Sequence, residues 1–172
     1  MRRFLGAIIA ANVLAAVLVL LIPTEVGEVT AAATPTPPTP CDWDAEWSAT
    51  IAELGEDPLN FVRQTGDMDG LKGRAYLDTG VVTISTATTC EMVSSVIRHE
   101  WVHLQQGRMH GGLRGAWRVY GDRLEIVADC GSWLLGSQHT PYRQRALEAG
   151  QPGCSPRDLA EARRLITFSA DD

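Results

Sequence analysis

Glu100 and His103 lie inside the apolar stripe of a helix, and this placement restricts what the chain can fold into more than any other feature. Met92, Val93, Val96, Ile97, Glu100, His103 and Leu104 share one broad face at helical spacing, so a core-facing helix is expected from the Thr88-Thr89-Cys90-Glu91 capping box to about Gln106. A purely structural helix has little reason to accept two ionisable groups there, because buried charge is costly without partners. The groups call for a chemical role.

His99-Glu100-Trp101-Val102-His103 is H-E-x-x-H. Residues i and i+4 lie on one helical face, so two imidazoles can converge on one Zn²⁺, while the glutamate beside the first reaches a metal-bound water without occupying the metal. A catalytic zinc takes three protein ligands and keeps a fourth place for water. Glu125 and Asp129 form E-x-x-x-D on a second expected helix, from Asp122 to about Leu135, again on one face. Glu125 is the expected third ligand, and Asp129 the acceptor that fixes the tautomer of a ligand histidine. The rival pattern H-E-x-x-H-x-x-G-x-x-H asks for glycine at 106 and histidine at 109; the chain has Gln106 and Met109. His110 is off by one and reads as a loop histidine. An oxyanion donor would also be needed. His139, Tyr142 and Tyr120 are candidates among which spacing does not choose, and rim positions are their plainer reading. Trp101, Trp117 and Trp133 read as core or rim packing, and Arg157, Arg163 and Arg164 as an exposed helix face.

The rest of the chain supplies context. Arg2 and Arg3 precede an uncharged apolar run from Phe4 to Ile22. At about 1.5 Å per residue it just spans a hydrocarbon core of roughly 30 Å, so residues 1–22 read as a signal anchor or a signal peptide. Ala31-Ala32-Ala33 offers a cleavage site, but farther from the apolar run than is usual, which favours the anchor. Either way the chain beyond Pro23 is exported. Residues 23–40 form a linker whose Thr34–Pro40 stretch is a stiff Pro/Thr stalk. All four cysteines lie beyond it without a C-x-x-C pair, so two disulfides are expected. Three pairings are open, of which Cys41 with Cys90 and Cys130 with Cys154 is favoured. Residues 41–172 then form a single domain. Its expected elements include a helix over Asp42 to Leu54 and a hairpin of Arg74 to Asp78 with Val81 to Ser85. A long glycine-rich loop from Gly107 to Gly121 comes next, then a short helix from Tyr142 to Ala149 and a last helix capped by Ser155, running to about Phe168. A net charge of −6 without a basic stripe argues against nucleic acid and for a protein or peptide partner.

His-Glu-Trp-Val-His-Leu-Gln-Gln together with Leu-Glu-Ile-Val-Ala-Asp-Cys resembles the gluzincin zinc metallopeptidases, and within them the bacterial neutral zinc metallopeptidase family, over roughly residues 74–135. The resemblance implies an α+β, zincin-like fold, mostly helical with a small β-hairpin or sheet. It implies His99, His103 and Glu125 as zinc ligands, Glu100 as general base and Asp129 as the orienting residue. The implied activity is that of an exported zinc-dependent metallopeptidase that hydrolyses peptide bonds with a zinc-activated water. It would be held to the membrane by its N-terminal segment where that is uncleaved, and secreted otherwise. The competing expectation is a non-catalytic exported binding module that keeps zinc as a structural staple. Whether the fourth coordination place opens onto a groove separates the two.

Overall fold

Val82 and Ile84, alternate residues of a β-branched run, are fully buried, and their strand is the centre of a three-stranded sheet. The structure is a computed structural model that describes residues 40–66 and 68–169. The expected signal segment 1–22 and all of the 23–40 linker but Pro40 lie outside the described residues. The strands β1 (Phe61–Gln64), β2 (Gly73–Tyr76) and β3 (Val81–Ser85) are ordered β1-β3-β2. β2 and β3 form the expected antiparallel hairpin, with Ala75 opposite Val82. β1 lies parallel on the other side, Phe61 opposite Val82. The sequence does not announce β1: a strand of four residues with one buried side chain carries no readable period.

The sheet packs on α2 (Cys90–His110), which also receives α1 (Trp43–Glu53), α3 (Leu113–Tyr120), α4 (Leu124–Leu134) and α6 (Pro156–Ile166). α5 (Pro141–Glu148) packs on α4. Asp42 caps α1 by accepting from the Asp44 and Ala45 amides, and Ser155 with Asp158 forms a capping box at α6, in keeping with its Ser-Pro start. The architecture is α+β and mostly helical.

Three local expectations are corrected. The Thr88/Glu91 capping box does not form: Thr89 is the N-cap of α2 without a side-chain cap bond, and the Thr88 hydroxyl donates instead to Lys72 O at 3.3 Å. α2 runs four residues past Gln106, to His110. Gly107 does not break it, because this glycine serves packing: a Cβ there would stand 2.8 Å from both Leu77 Cβ and Leu77 O. The expected long loop over 107–121 is instead the last turn of α2, a tight Gly111-Gly112 link with φ of 72° and 91°, and α3. Asp78 Oδ1 caps α3 by accepting from Leu113 N at 2.9 Å.

Cys41 is joined to Cys90 and Cys130 to Cys154, the favoured pairing, and no free cysteine remains among the described residues. Two disulfides fit an extracellular or otherwise oxidising environment. No helix among the described residues is long and apolar enough to cross a membrane.

Candidate metal centre

α2 and α4 come together because Gly131 of α4 leaves room for Val102 of α2: a Cβ on Gly131 would lie 2.8 Å from Val102 Cγ2. This close approach brings the i, i+4 pair of one helix against that of the other. His99 Nε2 lies 3.1 Å from His103 Nε2, and Glu125 Oε2 lies 3.3 Å from the first and 3.4 Å from the second. His99, His103 and Glu125 could hold a metal ion.

The outer nitrogens of both rings are held by oxygen acceptors. His99 Nδ1 lies 2.8 Å from Asp129 Oδ1, and His103 Nδ1 lies 2.7 Å from Gln106 Oε1. Gln106 in turn donates from Nε2 to Leu124 O at 3.0 Å, which fixes its amide. With the Nδ1 proton so placed, each neutral ring turns an Nε2 lone pair toward the Glu125 carboxylate. Three electron-pair donors this close repel one another unless a proton or a cation lies among them. The same attraction for positive charge acts on His99, where burial lowers the imidazole but bonds to Asp129 and Glu125 outweigh it and push it up to about 10. Burial raises the Glu125 carboxyl, but bonds from His103 and His99 hold it well below the usual glutamate range.

Glu100 sits beside this cluster, 7% exposed, with its carboxyl raised chiefly by burial and lowered in part by the two histidines. The backbone of Ala75 in β2, the edge strand of the sheet, adds a smaller lowering influence. The cluster and Glu100 open onto a groove of about 510 Å³ between β2, α2 and the start of α5. The Glu125 side chain is 39% exposed.

The structure brings together His99, Glu100, His103, Glu125 and Asp129, and it adds His139 and Tyr142 on the groove wall. The Tyr142 ring stacks on His99, centroids 6.1 Å apart and planes at 11°, and its phenol is raised by burial and by the nearby Glu125 charge. Tyr120 is elsewhere: it is buried, its phenol pushed up to about 12 mainly by burial, and its hydroxyl meets His110 Nε2 at 3.0 Å. His110 ends a helix and is not a loop residue. Trp101 is buried and donates to Glu56, a packing role, whereas Trp117 and Trp133 are half exposed.

Gln106 is the contributor that sequence reasoning missed. Its signal is a polar residue seven positions after His99 and three after His103, hence on the face of the ligand pair. No protein-family model, curated protein or solved structure matches the chain.

Proposed function

We propose that the domain is an exported zinc-dependent metallopeptidase of gluzincin type, with a zincin-like fold and peptide or protein substrates. The observation that carries the reading is the spacing of the triad. Ligand atoms about 2.0–2.1 Å from a tetrahedral zinc stand about 3.3 Å apart. The three donor separations here are 3.1, 3.3 and 3.4 Å. Nitrogen and carboxylate donors with hydrogen-bonded partners behind them suit zinc better than calcium or magnesium.

A zinc ion held by His99, His103 and Glu125 would polarise a carbonyl and acidify water. Glu100 supplies the base: its carboxylate takes a proton from the attacking water and passes it to the departing amine, and burial has already moved its affinity for that proton upward. Asp129 and Gln106 keep Nδ1 protonated in the two histidines, so that Nε2 stays free to bind. β2 supports a peptide substrate, because an edge strand on the groove can pair with an extended chain. Tyr142 and His139 are the candidate oxyanion donors. A structural zinc would want a closed site, and the opening of the triad onto the groove favours catalysis over the binding module. The two disulfides support export, with residues 1–22 proposed as the signal anchor or signal peptide.

The test is zinc content and peptide cleavage by the full chain and its Glu100→Gln variant. We expect equal zinc and at least about a 10²-fold loss of cleavage in the variant, the lower end for losing a positioned base. Zinc-loaded wild-type protein that cleaves nothing in a broad peptide library would overturn the enzyme reading in favour of the binding module.

A further inference from the structure

Asp129 is fully buried between two neighbours that offer it only N–H donors. On one side His99 Nδ1 lies 2.8 Å from Oδ1. On the other, the first two non-proline amides of α5 donate to Oδ2, Tyr142 N at 2.6 Å and Arg143 N at 2.9 Å. The residue at the N-cap of α5, Thr140, makes no side-chain cap bond, so Asp129 does that work from the neighbouring helix.

Beyond these bonds α5 is held by Arg143, whose guanidinium lies 4.3 Å from the Trp133 ring centroid of α4, and by Arg143 and Leu147 against Gly153. Its eight residues include none that is fully buried, and a helix this short is marginal by itself. The contacts of its first turn converge on the candidate metal centre: the amides on Asp129 and the Tyr142 ring on His99, with the Tyr142 phenol, raised by burial, close enough to Glu125 to be raised further by its charge. α5 also lines the groove, with Pro141, Tyr142 and Arg145.

We propose that Asp129 is a positioning residue that couples metal loading to the seating of α5, so that binding zinc completes the groove wall. The inference rests on the reading of His99, His103 and Glu125 as a metal site. A cation that fixes His99 and Glu125 fixes the groups on which α5 leans, and by linkage a seated α5 tightens metal binding by the same factor. A carboxylate is required for this. Asparagine has one acceptor oxygen: turned to α5, its amide N–H₂ faces His99 Nδ1 and imposes the tautomer that cannot ligate; turned to His99, it meets two N–H donors.

The experiment is amide hydrogen exchange across residues 138–149 of the full chain, stripped with chelator and titrated with zinc alone, with bound zinc measured on the same samples. In the wild type, exchange at Tyr142, Arg143 and the rest of α5 should slow about 5-fold or more in step with zinc occupancy, the low end of coupling between sites. Gln106→Ala, which loosens His103 but touches nothing in α5, should need more zinc and reach the same protection. Asp129→Asn at saturating zinc should leave α5 exchanging as in the metal-free protein. Zinc uptake by the wild type with no change in α5 overturns the coupling while leaving the metal site standing, as does full protection in zinc-loaded Asp129→Asn. Failure to take up zinc at all overturns both. Should Asp129→Asn not fold, the wild-type and Gln106→Ala titrations decide.

Discussion

Gly73 and Glu100 share a space that holds only one side chain: a Cβ on Gly73 would stand 2.7 Å from Glu100 Cγ and 2.8 Å from Glu100 Oε1. The strand thus passes directly against the side chain of the proposed base. Gly73→Ala should push Glu100 or β2 aside. A displacement of order 1 Å at a reacting group costs about 10²-fold in rate, so kcat/KM should fall by that order, while zinc stoichiometry stays at the wild-type value. Steady-state kinetics beside elemental analysis checks this, and unchanged kinetics would mean that Glu100 does not act from its present position.

Gln106 holds His103 as Asp129 holds His99, but with a neutral acceptor. Gln106→Ala should cost about 10–100-fold in zinc affinity, as is usual for groups behind a ligand histidine. Gln106→Glu should restore part of that loss, because a carboxylate still accepts from Nδ1–H but has no N–H to donate to Leu124 O. Competition titration against a chromogenic chelator measures both.

The legible parts of this protein are those whose signal is local. H-E-x-x-H and E-x-x-x-D reveal their chemistry because one helical turn is all that their geometry needs. The α6 start is equally local, a Ser-Pro step with an acid three residues on. The hidden parts depend on contacts between distant segments. Gly107 is a breaker by propensity, yet it sits inside a helix because Leu77 needs the space that a Cβ would fill. Tyr120 and Tyr142 look alike in sequence, and only the packing of α3 and α5 sends one to His110 and the other to His99. The second task of Asp129, capping a helix that begins 12 positions downstream, has no local mark at all.

Asp158 ties the α6 cap to Arg123, whose Nε donates to its Oδ1 at 2.9 Å. Burial raises its carboxyl, but bonds from Ser155 and Arg123 outweigh that and hold it below the ordinary value of 3.8. A carboxyl with a depressed folded pKa contributes stability that is complete above its unfolded value and disappears as pH falls through the folded one. Acid unfolding should therefore steepen below about pH 3.8, and Asp158→Asn should flatten that limb. At neutral pH the variant should lose about 1 kcal/mol, the usual worth of a helix cap. Urea melts across the acid range give both quantities; an unchanged acid limb in the variant would remove Asp158 from the account.

The Cys130–Cys154 bond joins the residue after Asp129 on α4 to the residue before the Ser155 cap of α6, with a sequence separation of 24. Closing a loop of this length stabilises a fold by about 3 kcal/mol, mostly through the unfolded chain. Replacing both cysteines by serine should lower Tm by roughly 10 °C for a domain of this size. Because the bond acts on the unfolded state, and α4 is also held by packing against α2 and α6, the geometry of the triad should survive at temperatures well below the transition. Zinc affinity of the variant should therefore stay within a few-fold of the wild type at low temperature. Calorimetry paired with zinc titration separates the two effects. A large loss of zinc affinity without a fall in Tm would mean that the disulfide shapes the native metal centre instead of restricting the unfolded chain.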